Sequence, residues 1–240
     1  MKTPIDKKST VEEIRQRFDK DVERFSNLET GQMAVIDAPL ILELISKLAV
    51  IVKPDAQNLL DIGSGAGNNT ISILRQKPGM NCDLVDLSVL MLEKAKERLS
   101  HEKAGEVRIF HGDFREVTLP SDYYDIVVAA AVLHHLRDDK DWETSFQKVY
   151  NLLKPGGAFF VSDLVHHQHE DVHNAMWERY GNYLESAGGP IYKAKVINYI
   201  EIEDSPRSLT YQIDLMKKVG FETVDVLHKN SCFAAYVGIK

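Results

Sequence analysis

The stretch "NLLDIGSGAGNNT", residues 58–70, decides the fold of this chain. A short apolar run from Asn58 to Ile62 leads into glycines at 63, 65 and 67, and a helical pattern follows. Glycine lets the backbone turn sharply and approach a ligand closely, and the helix after it begins with free amide groups. The stretch therefore predicts a strand, a ligand-binding turn and a helix. A tight turn without a ligand is the alternative.

The spacing of this loop restricts what it can hold. Asn68 stands where a dinucleotide-binding turn has its third glycine, and the loop has no lysine for a phosphate. Asp86 ends the next apolar run, where an acidic side chain can accept hydrogen bonds from both ribose hydroxyls. These features predict a nucleoside without phosphates. An NAD-dependent oxidoreductase is the alternative that Asn68 argues against.

Apolar runs and helical patterns alternate around the loop. The runs predict strands covered on both faces, at 58–62, 82–86, 107–111, 124–131 and 157–164. Helical patterns lie between them at 70–76, 88–100 and 141–153, and two more precede the loop at 11–25 and 37–52. Such alternation predicts a parallel sheet with right-handed crossovers.

The last third departs from this alternation. A helical pattern from 170 to 186 and a mixed segment to Asp204 precede a helix that we expect to begin with Ser205 as its cap and to end at Gly220. Two closing strands at 222–228 and 232–239 have the spacing of a hairpin. We therefore expect the parallel sheet to end in an antiparallel hairpin.

Composition and charge exclude several classes. The net charge of −7 and the lack of a long Lys/Arg run argue against binding to nucleic acid or to an anionic membrane. The polar N-terminus lacks the apolar core of a secretory signal, and no apolar run is long enough to span a bilayer. Cys82 and Cys232 read as buried thiols of a reducing compartment. We expect a cytoplasmic protein, for which a homodimer is compatible with the sequence.

Several ordered motifs together resemble the class I S-adenosylmethionine-dependent methyltransferases. The family's acidic residue and glycines fall on Asp61, Gly63, Gly65 and Gly67. The resemblance continues through "VDLSVLMLEKAKERL" (85–99), "GDF" (112–114), "YDIVVAAAVLHHLRD" (124–138) and "LLKPGGAFFVSD" (152–163). It covers about residues 55–164.

The resemblance implies S-adenosyl-L-methionine as cofactor, with S-adenosyl-L-homocysteine as product. It places Asp61, Gly63, Ser64, Gly65, Ala129 and Ala130 near the methionine moiety, and Asp86 on the ribose. Adenine would lie among Leu87, Met91, Gly112, Asp113 and Phe114. In many relatives an N-terminal aromatic residue closes the methionine end. Here that residue is Phe25, with Arg17 or Arg24 as partner of the carboxylate. Leu87 and Met91 read equally as core, and Asp113 as a turn cap.

The implied fold is an α/β, Rossmann-like sheet of seven strands. It is mainly parallel, with the seventh strand antiparallel in a C-terminal β hairpin, and helices cover both faces. We expect residues 1–53 to supply N-terminal helices that close the cofactor site. Residues 54–240 would form the methyltransferase domain, with a helical lid inserted after the fifth strand at about 166–204. The aromatic residues Trp177, Tyr180, Tyr183 and Tyr192 lie in that lid, where they read as pocket or as core.

We expect a methyltransferase that acts on a small-molecule methyl acceptor. Residues 201–240 are also similar to the end of carboxy-S-adenosyl-L-methionine synthases of transfer-RNA modification, whose basic pair falls here on Lys193 and Ala194. Alanine cannot give two-point recognition of a carboxylate, which favours the ordinary cofactor. A protein that binds S-adenosylmethionine without catalysis is the third interpretation, and an open space beside the sulfonium would argue against it.

The catalytic candidates are His134 and Asp163, which follow the fourth strand and end the fifth. Their alternatives are a structural histidine and a cap. His169 and His173 are four residues apart, as in a metal site on a helix, but the sequence supplies no third ligand in fixed relation. We therefore expect no metal at that pair.

Overall fold

The computed structural model describes residues 3–27 and 31–240, so residues 1–2 and 28–30 of the predicted N-terminal segment lie outside it. The α-helices are α1 (Val11–Lys20), α2 (Val22–Ser26), α3 (Ala38–Val52), α4 (Asn68–Gln76), α5 (Val89–Leu99), α6 (Asp139–Leu152), α7 (Glu170–Glu203) and α8 (Leu209–Val219). The strands are β1 (Asn58–Ile62), β2 (Asn81–Asp86), β3 (Val107–His111), β4 (Tyr124–Ala130), β5 (Leu153–Leu164), β6 (Thr223–Asn230) and β7 (Phe233–Ile239).

The strands form one seven-stranded sheet in the order β3-β2-β1-β4-β5-β7-β6. Strand β1 pairs in parallel with β2 on one side and β4 on the other, whereas β7 runs antiparallel to both β5 and β6. The predicted Rossmann-like sheet with a C-terminal hairpin is confirmed. The strand order reverses between β1 and β4, because β2 and β3 are added on one side of β1 and β4 on the other. Open parallel sheets bind ligands at the carboxyl ends of the strands at such a point.

Helices cover both faces of the sheet because its central strands are apolar throughout. All five residues of β1 are buried. One core places Ile45 of α3 and Ile73 of α4 with Leu59 of β1, and the other places Phe146 of α6 with Leu60. In the described parts of the chain, each helix is too short or too polar to span a bilayer.

The leading helical pattern forms two helices rather than one. Asp21 separates α1 from α2 with backbone angles outside the helical region, and its N–H bonds to the Phe18 carbonyl. The prediction of one continuous helix over 11–25 was wrong at that residue.

The segment after β5 is more helical than the sequence predicts. Helix α7 extends to Glu203, and its break lies at Gly189, whose φ of 81° is followed by Pro190. Beyond the break, Val196 and Ile200 are buried against Leu164 of β5. The predicted mixed segment was wrong because this tertiary contact, which the local pattern does not show, stabilises a second helical half.

The start of α8 also differs from the prediction. Its N-cap is Ser208, whose hydroxyl accepts a hydrogen bond from the Tyr211 N–H, rather than Ser205. The Ser205 N–H instead donates to the His134 carbonyl at 2.6 Å. This contact holds the segment after α7 against the end of β4, and the predicted end of the helix at Gly220 is confirmed.

Candidate functional site

The glycine turn leaves β1 with three positive φ angles. Gly63, Gly65 and Gly67 have φ values of 65°, 49° and 81°. A Cβ at Gly63 would lie 2.5 Å from a methyl group of Val132, whereas a Cβ at Gly65 would meet nothing within 4 Å. Gly63 is therefore required by packing, and Gly65 faces open space.

Asp86 lies at the end of β2, opposite this turn. Its carboxylate accepts hydrogen bonds from the Gly65 N–H at 2.8 Å and from the Ser88 N–H at 2.9 Å. Burial raises the pKa of the Asp86 carboxyl, although both N–H donors oppose that shift. The two backbone donors fix the carboxylate where it borders the cavity, with lone pairs left for further donors.

Asn68 explains why the third glycine of a dinucleotide turn is absent. Its side-chain amide donates to the Phe25 carbonyl at 3.0 Å, and its oxygen accepts from Arg98 at 2.8 Å. The residue therefore holds the N-terminal segment against the start of α4. A glycine at this position would leave the segment without that contact.

Three adjoining cavities follow the carboxyl ends of β1, β2 and β4. We call the first the glycine-loop cavity. Its walls include the predicted residues Gly63, Ser64, Gly65, Asp86, Leu87, Met91, Ala130 and Phe25. The lining that the structure describes contains no lysine or arginine, and Asp86 is its only carboxylate. Such a wall does not suit a pyrophosphate.

The second, which we call the edge cavity, shares Gly63, Asp86 and Leu87 with the first. It also contains the predicted residues Gly112, Asp113 and Phe114. Arg115 holds the Asp113 carboxylate at 2.5 Å, and although burial would raise the pKa of that carboxyl, this guanidinium lowers it. The Arg115 N–H also donates to Asp113 at 2.9 Å, which is the turn-cap arrangement.

The third, which we call the inner cavity, lies between the sheet, the N-terminal helices and α7. Phe25, Tyr180, Tyr192, Tyr199 and Phe233 give it an aromatic wall, and Arg17, Arg24, His134, Asp163 and Asp204 give it a charged one. It shares Phe18, Phe25, Ala131, His135 and Ser162 with the glycine-loop cavity. The two spaces are therefore neighbours with a common wall.

His134 and Asp163 form a direct hydrogen bond through His134 Nδ1. Asp163 also accepts from the N–H groups of His134 at 3.1 Å and of Leu164 at 2.7 Å. Burial would lower the pKa of His134, but Asp163 and Asp204 outweigh it and raise the value to about 9. Burial and the charge of His134 lower the pKa of His135. Asp163 is therefore occupied in orienting His134.

Some predicted residues lie outside the cavity walls. Asp61 and Ala129 are both 0% exposed and lie beneath the cavities, where Asp61 accepts from the Thr70 hydroxyl at 2.7 Å. Lys193 forms an ion pair with Glu185 at 2.8 Å and, like Ala194, does not line the inner cavity. Arg17 lines it, but its guanidinium is paired with Glu203 at 2.6 Å.

Family and structural comparisons agree with this geometry. Residues 59–157 match the family model described as a methyltransferase domain. This match supports the predicted resemblance to the class I S-adenosylmethionine-dependent methyltransferases. A carboxy-S-adenosyl-L-methionine synthase from Nautilia profundicola is 23% identical to this protein over 233 residues, 93% of this chain and 98% of the relative.

Solved structures show the same fold. Human N-acetylserotonin methyltransferase with S-adenosylmethionine has a TM-score of 0.61 at 18% identity over 94% of this chain. Phosphoethanolamine N-methyltransferase 2 from Haemonchus contortus, with S-adenosyl-L-methionine, has a TM-score of 0.58 at 17% identity over 93% of this chain. This protein spans only 56% and 60% of those two chains.

The comparisons support S-adenosylmethionine as the cofactor, and the residues present fit it. Gly65 leaves open space where a side chain would intrude, and Asp86 offers acceptors at the same wall. A wall of apolar side chains with one carboxylate suits a cationic sulfonium better than a phosphate.

Asp204 and Tyr199 are cavity residues that the sequence analysis missed. Both lie in the segment expected to be mixed, and Asp204 is only 2% exposed at the end of α7. No motif or periodicity marks either of them. Only the docking of α7 against the end of β4 brings them to the site.

Proposed function

We propose that this protein transfers the methyl group of S-adenosylmethionine to a small molecule bound in the inner cavity. The observation that carries the proposal is the common wall of the glycine-loop and inner cavities. Methyl transfer from a sulfonium is an in-line displacement, which needs the acceptor beside the methyl group and water excluded. A neighbouring enclosed chamber supplies both conditions.

The proposed cofactor contacts lie in the glycine-loop cavity and the edge cavity. Asp86 would hold the ribose, and Gly63, Ser64, Gly65 and the backbone of Ala130 would lie along the methionine moiety. Leu87, Met91, Gly112 and Phe114 would surround the adenine, with Asp113 accepting from its amino group. Phe25, whose ring centroid lies 5.4 Å from that of Phe18, would cover the methionine end.

The N-terminal segment and α7 would enclose the acceptor together. The Ser9 N–H donates to the Ile202 carbonyl at 2.8 Å, and the Tyr180 hydroxyl donates to the Ala34 carbonyl at 2.8 Å. These contacts connect the two segments across the inner cavity. A chamber closed in this way favours a small acceptor over a nucleic acid.

His134 is the proposed residue for contact with the acceptor. Asp163 binds Nδ1, so the other ring nitrogen, Nε2, is directed toward Asp204 and the inner cavity. Asp163 is then a positioning residue, because its hydrogen bonds go to His134 and to the Leu164 backbone. A purely binding protein has no need of a second cavity beside the cofactor site, which favours catalysis.

The proposal is tested by following the label of S-adenosylmethionine that carries a trideuterated methyl group. The protein is incubated with small-molecule, RNA and protein fractions of a cell extract, and each fraction is analysed by mass spectrometry. We expect label in a product of the small-molecule fraction other than the cofactor itself, and less of that product with the Asp86→Ala variant. Label confined to RNA or protein would contradict the proposal.

A carboxy-S-adenosyl-L-methionine synthase is the second candidate function. It is favoured by similarity over 98% of the length of one such synthase. The inner cavity also contains Arg17 and Arg24, which supply positive charge although Lys193 lies elsewhere. Mass spectrometry of the purified protein's bound nucleoside separates the candidates, because a carboxylated cofactor is heavier by one CO2.

A further inference from the structure

We propose that His134, His135 and Asp204 bind a divalent transition-metal ion in the wall of the inner cavity. The three residues come from two distant parts of the chain. Both histidines lie in the 3-10 turn after β4, and Asp204 directly follows α7. The proposal stands on their placement, and only the role of the ion rests on the proposed function.

The spacing of the donor atoms fits a metal ion. Asp204 Oδ1 lies 3.3 Å from His135 Nδ1 and 3.8 Å from His134 Nε2. One donor atom from each residue lies within 4.8 Å of the others. Ligands about 2.1 Å from a tetrahedral ion are roughly 3.4 Å apart, so small side-chain movements close the site.

Two of the three residues have buried polar atoms without a hydrogen bond. Both ring nitrogens of His135 and Oδ1 of Asp204 are buried without a hydrogen bond. Buried polar atoms are almost always partnered, and Asp204 is 2% exposed. Phe18 meets the His135 ring edge-on at 6.1 Å between centroids and offers it no acceptor. A cation among the three side chains would satisfy these atoms at once.

Neighbouring residues orient the proposed ligands and do not compete with them for the ion. Asp163 accepts from His134 Nδ1, which fixes the ring with Nε2 toward Asp204. Glu203, next to Asp204 in the chain, is paired with Arg17 and therefore does not compete for the ion.

The donor set selects the kind of ion. Two imidazoles and one carboxylate suit zinc, iron(II), cobalt(II) or manganese(II), whereas magnesium and calcium prefer oxygen ligands throughout. Three protein ligands leave at least one position open. His134, His135 and Asp204 all line the inner cavity, so that position would take an oxygen atom of the acceptor.

The experiment uses the full chain, freed of metal with a chelator and titrated with Co²⁺ and Zn²⁺. We expect one equivalent per chain, with visible Co²⁺ absorption that Zn²⁺ abolishes. His135→Ala and Asp204→Asn should lose the stoichiometric site, and Asp163→Asn should weaken it by about 10- to 100-fold. Thermal unfolding confirms that each variant folds, and His135→Gln replaces His135→Ala if that variant does not.

His169→Ala is the matched control, because its side chain is 71% exposed in the other histidine-rich segment. It should bind one equivalent as the parent protein does. Absence of a stoichiometric site in the parent, full binding by both His135→Ala and Asp204→Asn, or loss in His169→Ala would overturn the proposal. None of these measurements depends on turnover, so the site can fail while the proposed function stands. Methyl transfer by metal-free protein would reject only the role of the ion in turnover.

Discussion

The Asp86 carboxylate accepts a hydrogen bond from the Gly65 N–H at 2.8 Å, which joins the end of β2 to the glycine turn after β1. The contact places Asp86, the one acidic group in the described lining of the glycine-loop cavity, beside Gly65, the glycine of the turn whose Cβ direction is open. A ligand in this cavity therefore meets a fixed acceptor and bare backbone at the same wall.

Replacing Asp86 with alanine should weaken S-adenosylmethionine binding by about 1–3 kcal/mol, the loss expected for hydrogen bonds to a charged acceptor. Isothermal titration calorimetry measures the affinity. Asp225→Ala, an exposed acidic position on β6, serves as the control and should bind normally. Equal affinities of the two variants for S-adenosylmethionine would contradict the proposed contact between Asp86 and the ribose.

The two glycines of the turn should respond differently to substitution. Gly63→Ala places a Cβ 2.5 Å from Val132 and should lower the free energy of unfolding by about 1–3 kcal/mol. Gly65→Ala has the same positive-φ strain without a collision, so it should cost less stability, and it should reduce cofactor affinity because its methyl group enters the glycine-loop cavity. Urea unfolding and calorimetry together separate the effects. A reversed order would show that the turn is arranged differently in solution.

The ion pair between Arg17 and Glu203 should stabilise the fold. The Glu203 side chain is only 5% exposed, and its carboxylate accepts hydrogen bonds from Arg17 Nε and Nη2 at 2.6 Å. Arg17→Ala leaves a buried carboxylate without this partner and should cost about 1–3 kcal/mol in urea unfolding.

Adding Glu203→Gln to that variant should restore part of the loss, because the uncompensated charge is then removed. Lys47→Ala, which breaks an exposed pair with Glu43, is the control and should change stability by less than about 0.5 kcal/mol. A matching loss in the control would mean that burial of Glu203 is unimportant.

Asp61 should give the cofactor-free protein a characteristic pH dependence. Burial raises the pKa of its carboxyl from 3.8 to about 7. Between these values the folded protein keeps a proton that the unfolded chain releases, so this contribution to stability is present at low pH and is lost as pH rises through the window. The slope is on the order of 1 kcal/mol per pH unit.

Asp61→Asn retains an acceptor for Thr70 but does not titrate. The difference in free energy of unfolding between parent and variant should therefore change from about pH 4 to about pH 7 and level off above it. Chemical denaturation at several pH values measures this difference. A constant difference in the free energy of unfolding between pH 4 and pH 7 would show that the Asp61 carboxyl of the folded protein does not have this raised pKa.

Both cysteines should be unreactive in the folded protein. Cys82 and Cys232 are 0% exposed and free, and burial raises the pKa of their thiols to about 12 and about 11. A thiol reagent at neutral pH should modify neither until denaturant is added, and then both, since the thiolate is the reactive form. Rapid labelling without denaturant would indicate that the hairpin or β2 opens locally.

The sequence by itself determined the sheet, the glycine turn and the cofactor class. The strands are short apolar runs such as β1 and β4. The residues that surround the glycine turn lie at the ends of such strands. Asp86, for example, ends the strand that pairs directly with β1. Local patterns of this kind carry their structural meaning within a few residues.

Only the tertiary structure decided the inner cavity. Asp204, Tyr199 and the second half of α7 have no local signal, because their positions depend on burial of Val196 and Ile200 against Leu164. The same docking brings Asp204 within 3.3 Å of His135. Contacts between segments so far apart in the chain follow from packing rather than from periodicity, and this is why the glycine turn could be predicted from sequence and the inner cavity could not.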